Sequence, residues 1–293
     1  MDQQDLEPTA DAAEEEDAGA DLGHAYQVGI WGPCARALKI RGREERGSTK
    51  GGAVGSWQAA FGDEEFLPTE VANIEGKRQV AQQMALRLRD GDVVGVGSGT
   101  TSLLAIQALG ERAARERLRW VAVPTSLEAA LAGSAAGAVV TSLELVRPDW
   151  SFDGADEVDP EANLLKGHGG AMLREKLVMA SSPERYVLVD QSKLVDRLGA
   201  RTPVPIEVLP EALRLVRDAL LRLGAVEVHL RPGGTKGGPM ITEHGNCVLD
   251  VRLPEIQPDT EQTLKALPGV VESGLFLGYR PTVLTPGNVG PHA

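Results

Sequence analysis

Four short segments carry residue types with chemistry to offer. The first is Gly95-Val-Gly-Ser-Gly-Thr-Thr-Ser102, which joins an apolar run to a helical pattern. Glycines let backbone N–H groups approach an anion closely, and a helix N-terminus adds a positive dipole. Ser98, Thr100 and Thr101 add hydroxyls beside Gly99, so a phosphate is the natural guest. The dinucleotide fingerprint fails because Thr100 stands where a third glycine belongs, and a Walker A loop fails because no Lys follows Gly99. Taken alone, the segment reads equally as a plain tight turn.

The second segment is Asp153-Gly-Ala-Asp-Glu157, directly after the apolar Trp150-Ser-Phe152. Carboxylates at the C-terminal end of a strand sit where open α/β sheets place ligands. Asp153 and Asp156 can face one cavity with their pKa values pushed apart for acid/base work. The competing reading is a solvated turn with an Asp capping the next element. The third segment, Lys166-Gly-His-Gly-Gly170, leads into a helix carrying Glu175. Lys166 ahead of Gly167, His168 and Gly169 can enter a pocket walled by backbone, with Glu175 projecting toward the same space. Otherwise Glu175 pairs with Arg174 or Lys176 on a wet face. The fourth, Asp190-Gln-Ser-Lys193, ends another strand, so Lys193 either adds positive charge at the ligand edge or is solvated.

No metal site is expected. His24, His168, His229, His244 and His292 have no ligand spacing with Cys34 or Cys247. No Ser-His-Asp or Cys-His order stands out, and Cys247 in Cys-Val-Leu-Asp-Val251 reads as core.

The elements that must position these groups follow from periodicity. Val80, Met84 and Leu88 recur at i, i+4, i+8, which predicts an amphipathic helix ended by Asp90-Gly91. Val93–Gly97 and Trp120–Val123 read as buried strands. Ser98–Thr101 reads as a turn before a helix from Ser102, and Ser126 as the cap of another. Ala138–Leu145 and Trp150–Phe152 look extended, Ala171–Ala180 helical and Tyr186–Val189 a strand. Strands alternating with helices imply right-handed βαβ units and a mostly parallel, Rossmann-like sheet. After Pro203 the spacing loosens: strands near 206–208, 226–230 and 247–251, and helices near 211–223 and 260–267. The expected architecture is an α/β domain (71–201 and 273–293), a smaller inserted α+β domain (202–272) and a disordered N-terminal extension (1–70).

Composition sets bounds. The 293 residues are 42% apolar and 25% charged, ordinary for a globular chain with room for two domains. The net charge of −12 resides mostly in residues 1–22, which hold nine acids and no Lys or Arg. That balance argues against a general nucleic-acid surface, which needs a basic stripe. Two cysteines fit a reducing compartment, no apolar run approaches a membrane span, and the acid-rich start is unlike a transit or signal peptide. The expected location is the cytoplasm.

Taken together, the segments resemble ribose-5-phosphate isomerase, type A. The likeness rests on Gly-Val-Gly-Ser-Gly-Thr-Thr (95–101), Val-Pro-Thr-Ser (123–126), Asp-Gly-Ala-Asp-Glu (153–157), Asn-Leu-Leu-Lys-Gly (163–167) and Leu-Arg-Glu-Lys (173–176). Pro-Ile-Glu-Val-Leu-Pro (205–210), Gly-Asn-Cys-Val-Leu-Asp (245–250) and Pro-Gly-Val-Val-Glu-Ser-Gly-Leu-Phe (268–276) continue it. The resemblance implies interconversion of ribose 5-phosphate and ribulose 5-phosphate by a metal-free enediol route, no cofactor, and a homodimer or homotetramer. Carried over, Glu175 is the proton acceptor, Asp153 and Asp156 the paired acids, and Lys166 the cation near the reacting oxygens. Ser98, Gly99, Thr100, Thr101, Gly167, His168, Gly169 and Lys193 are substrate contacts. His168 interrupts the family's glycine run, where a side chain either crowds the substrate, demands an unfavourable backbone angle, or points outward and is tolerated. A catalytically impaired sugar-phosphate-binding module is therefore the alternative.

Overall fold

The structure, a computed structural model, describes residues 72–234 and 237–287. The N-terminal extension expected over 1–70 lies outside the described residues.

Helix α1 (Ile74–Ala85) buries Val80, Ala81, Met84 and Ala85. It ends earlier than the apolar stripe predicts. Leu86, Arg87 and Leu88 donate their N–H groups to the carbonyls of Gln83, Met84 and Ala85. This tighter i→i−3 winding still carries Leu88 inward, where it is 1% exposed.

Strand β1 (Val93–Val96) leads into α2 (Gly99–Glu116). The expected turn at 98–101 is thus already the helix's first turn, with Ser98 at its N-cap. Strand β2 (Val121–Pro124) is followed by α3 (Leu127–Ala135), whose cap Ser126 accepts the Ala129 N–H at 3.1 Å as its position predicts. Only Val139–Val140 of the expected stretch 138–145 forms a strand, β3. It is the sheet's edge, where one neighbour supplies all the pairing. Strands β4 (Trp150–Asp153), β5 (Glu157–Val158) and β6 (Leu164–Leu165) precede α4 (Met172–Ser181) and β7 (Glu184–Leu188). Next come β8 (Val204–Val208), α5 (Leu213–Arg222), β9 (Glu227–Leu230), β10 (Cys247–Arg252) and α6 (Thr260–Lys265). Strands β11 (Val270–Ser273), β12 (Leu275–Phe276) and β13 (Thr282–Leu284) close the described chain.

Six strands form an all-parallel sheet in the order β13-β7-β4-β1-β2-β3. Its central strands β1 and β4 are buried along their whole length, as a parallel sheet covered on both faces requires. Helices α1 and α2 pack with β1, β2, β4 and β7 in one apolar cluster holding Met84, Ile106, Leu109, Trp120 and Phe152. A second sheet is antiparallel, ordered β11-β8-β10-β9, with its own cluster around Ile206, Val208, Val216, Leu220 and Leu249. A short third sheet, β12-β6-β5, brings Leu164–Leu165, just before Lys166, against Leu275–Phe276. Cys247 is buried in β10, as expected of core.

Candidate active site

In the six-stranded sheet the chain order reverses about β1. Strands β2 and β3 lie on one side and β4, β7 and β13 on the other. A reversal of this kind opens a crevice at the C-terminal ends of the strands. The Gly97–Thr101 segment leaves β1 and Asp153 ends β4, so the two flank that crevice.

Their closeness is set by register. Gly95 pairs with Ser151 and Val96 with Phe152, which lays Gly97 against Asp153. A Cβ on Gly97 would overlap the Asp153 carboxylate and Cα. Asp153 Oδ1 accepts from the Ser98 N–H (3.1 Å), the Ser102 hydroxyl (3.2 Å) and the Gly154 N–H (2.7 Å). One carboxylate oxygen thus ties the glycine-rich segment to β4. Gly97→Ala is expected to displace Asp153 and lower kcat/KM for the isomerisation that the sequence resemblance implies roughly 10²-fold, with the far-UV circular dichroism unchanged. Activity within a factor of two of the parent would show that this close approach does not position the carboxylate.

The other oxygen of Asp153 faces Lys166. The ammonium donates to the Gly154 carbonyl at 2.5 Å and stands 3.1 Å from Asp153 Oδ2 and 3.2 Å from Glu175 Oε2. All three side chains are buried. Asp153 Oδ2 and Glu175 Oε2 make ion pairs with Lys166 but lack a well-formed hydrogen bond, so each keeps acceptor capacity. Burial works against the Lys166 charge, but Asp153, Glu175 and Asp156 outweigh it and hold the ammonium above the ordinary lysine range. Burial pushes Glu175 well above the ordinary glutamate range. Lys166 opposes that shift, and the negative charges of Asp153 and Asp156 add to it.

Neighbouring sequence positions divide between this cluster and the scaffold. Successive residues of a helix face different directions, and α4 uses that. Glu175 turns to Lys166, whereas Arg174 pairs with Glu243 at 2.9 Å and Lys176 with Glu261 at 2.5 Å and Glu272 at 2.7 Å. The reading that paired Glu175 with Arg174 or Lys176 is therefore set aside. Likewise Asp156 points toward the Lys166 turn, accepting the His168 N–H at 3.0 Å. The next residue, Glu157, is fully engaged elsewhere by the N–H groups of Gly199, Arg201 and Thr202 and the Thr202 hydroxyl.

His168 does not strain the turn that it interrupts. Gly167 (φ 96°) and Gly170 (φ 80°) take the left-handed positions, whereas His168 is not among the positive-φ residues and its side chain is exposed. The backbone-angle objection to activity therefore has no support here.

Around the β1 segment, the Ser98 and Thr125 hydroxyls are 2.6 Å apart, and Thr100 and Thr101 are half-buried at the start of α2. Gly99 is exposed at φ 77°, and its N–H lies 3.4 Å from Glu128. Lys193 occupies a short 3₁₀ turn just beyond β7, half-buried. The structure does not bring it into contact with the Lys166 cluster. It stands near Lys77 of α1, whose ammonium is lowered by burial and by Lys193, against the pull of Asp190. Sequence reading missed Lys77 because α1 announces itself only by its apolar stripe. A groove of about 550 Å³ lies elsewhere, lined by Asp159, Arg197, Gly199 and Ile256 among others, and contains none of these residues. Among the described residues there is no His/Cys/Asp/Glu group arranged to hold a metal ion and no helix able to cross a membrane.

Residues 121–290 match the family model described as ribose 5-phosphate isomerase A (phosphoriboisomerase A). A relative named ribose-5-phosphate isomerase A from Synechococcus is 46% identical over 212 residues, covering 71% of this chain and 91% of the relative. The chain belongs to the ribose 5-phosphate isomerase A family. A Methanothermobacter thermautotrophicus member is 43% identical over 210 residues, covering 71% of this chain and 92% of that one. The solved structure of the Methanocaldococcus jannaschii isomerase superposes with a TM-score of 0.71 at 38% identity, over 75% of this chain and 97% of that one. A further solved isomerase, in complex with phospho-erythronic acid, gives 0.70 at 39% identity, over 72% and 93%. As a member of this family the protein is an enzyme, an aldose–ketose isomerase, and the aligned region takes in every segment singled out above from Val121 onward.

Proposed function

We propose that this protein interconverts D-ribose 5-phosphate and D-ribulose 5-phosphate through an enediol intermediate, without a metal ion, as a step of the non-oxidative pentose phosphate pathway. The observation that carries the mechanism is the buried Lys166 ammonium between two carboxylates that retain acceptor capacity. Moving a carbonyl from C1 to C2 requires one base to take the C2 proton and return it to C1. Glu175, raised by burial, serves both steps from one face of the sugar. The enediolate oxygens accumulate negative charge, and Lys166 with the donors of the following turn stabilises it. Asp153 and Asp156 carry the hydroxyl proton between oxygens and assist ring opening. Ser98, Gly99, Thr100 and Thr101 hold the phosphate, with Lys193, and Lys77 beside it, supplying positive charge; Gly167, His168 and Gly169 line the sugar. Remote phosphate binding fixes the reacting carbons against Glu175.

The deciding experiment follows ribulose 5-phosphate formation from ribose 5-phosphate before and after exhaustive treatment with a chelator. Turnover is expected, and unchanged by the chelator. A folded protein without turnover would remove the reading, and strict metal dependence would remove the mechanism. We also propose the two-domain division at 202–272, on the ground of the separate antiparallel sheet, a cytoplasmic location, and a homodimer or homotetramer, to be measured by sedimentation.

A further inference from the structure

Arg231 lies immediately after β9, outside every segment that the chemistry singled out. Its backbone is held at both ends: its N–H donates to the Val248 carbonyl at 2.9 Å and its carbonyl accepts the Met240 N–H at 2.8 Å. Its side chain, 12% exposed, forms a two-pronged pair with Asp250 of β10, Nε to Oδ2 at 2.9 Å and Nη2 to Oδ1 at 2.5 Å. That pair fixes the guanidinium plane. The remaining nitrogen, Nη1, then donates to two successive carbonyls of the Lys166–Gly170 turn, Gly167 O at 2.9 Å and His168 O at 2.7 Å.

The consequence lies on the opposite side of those peptides. In a trans peptide the N–H points away from the C=O. The Gly167–His168 peptide has its carbonyl on Arg231 and its N–H on Asp156 Oδ2 at 3.0 Å. The His168–Gly169 peptide has its carbonyl on the same Arg231 nitrogen, so the Gly169 N–H is turned to the side on which Asp156 lies. Among the described residues no acceptor takes that N–H, and the Cα of Gly169 borders open space. A donor held in this way, three residues after Lys166 in the same turn, is a ready partner for an oxygen that becomes negative.

We infer that Arg231 is a positioning residue for the isomerisation, which holds the Lys166–Gly170 turn by its carbonyls so that the Gly169 N–H faces the reacting oxygens. The inference rests on the proposed reaction at this site. Arg231 never touches the sugar; it acts through the backbone of the turn, and Asp250 acts through Arg231. A lysine cannot replace it, since one ammonium cannot grip both carboxylate oxygens and both carbonyls from a fixed plane.

The test is steady-state kinetics on Arg231→Ala, Arg231→Lys and Asp250→Asn in the full chain, with thermal midpoints measured alongside. Arg231→Ala is expected to lower kcat about 10- to 100-fold while KM for ribose 5-phosphate changes less than about threefold. Added guanidinium at non-denaturing concentration is expected to restore part of kcat to Arg231→Ala and to leave the parent unaffected. Asp250→Asn, which loosens the guanidinium and keeps it, gives an intermediate loss and carries the test if Arg231→Ala does not fold. Arg231→Lys should recover little. The inference is overturned if folded Arg231→Ala or Asp250→Asn keeps the parental kcat, if the loss falls on KM alone, or if guanidinium recovers none of the lost kcat. An inactive parent protein would instead overturn the proposed reaction, so the two failures are distinct.

Discussion

Glu175→Gln lowers kcat by about 10²–10⁴-fold and leaves KM for ribose 5-phosphate within about threefold. The amide has the shape of the carboxylate and keeps an oxygen for Lys166, now 3.2 Å from Glu175 Oε2, but it cannot accept a proton from carbon. Exchange of the C2 proton with solvent disappears along with turnover. The pH profile supplies a second reading. The ionised form of Glu175 is the base, and burial holds its pKa above the ordinary glutamate value. Activity therefore rises with pH through that raised pKa and is lost on the acid side of it, so the acid limb of kcat/KM stands at higher pH than a solvated glutamate would give. The Gln variant loses this limb. A variant with raised KM and parental kcat would make Glu175 a binding group and remove it from the proton transfer.

The sequence announces the parallel sheet because its strands are short apolar runs between glycine and acid. Val93–Val96 and Val121–Val123 are buried in consecutive parallel strands, so nothing in them alternates. The three-residue spacing of Asp153 and Asp156, and the placing of Lys166 nine residues before Glu175, were legible as candidates. Their joint assembly was not, because it depends on β1–β4 register and on Gly97 admitting Asp153. Strands β5, β6 and β12 have two residues each, too few for any period to register, yet they carry Lys166 into place: its N–H donates to the Gly274 carbonyl at 2.9 Å. Arg231 was invisible for a different reason. It reaches the turn from over sixty residues away in sequence, and a lone Arg after a strand is indistinguishable from a solvated one until the partners of its guanidinium are known. Local patterns thus reveal groups held by their own strand ends and conceal groups delivered by another sheet.

Replacing Lys166 by Met should have the largest combined effect, on both stability and rate. The side chain is 3% exposed and lies between two buried carboxylates, so Met fills the space but leaves Asp153 and Glu175 without a counterion. Breaking a buried pair by removing one partner typically destabilises by about 3–5 kcal/mol. The sign of its pH dependence follows from Glu175. Lys166 is the group that opposes the upward shift of Glu175, so its loss raises the folded-state pKa further above the unfolded value. Stability linked to a raised pKa is fully present below the unfolded pKa and is lost as pH rises through the folded one. The thermal midpoint of Lys166→Met should therefore lie nearest the parent's in mild acid and fall progressively behind it toward neutral and alkaline pH. In the same variant kcat drops about 10²–10³-fold, because the enediolate loses its nearest cation, and the acid limb of the rate profile moves to still higher pH. Midpoints of the two proteins that run parallel across the whole range would mean that the ammonium does not favour the charged form of Glu175, and the electrostatic basis of the proposed proton transfer would fall with it.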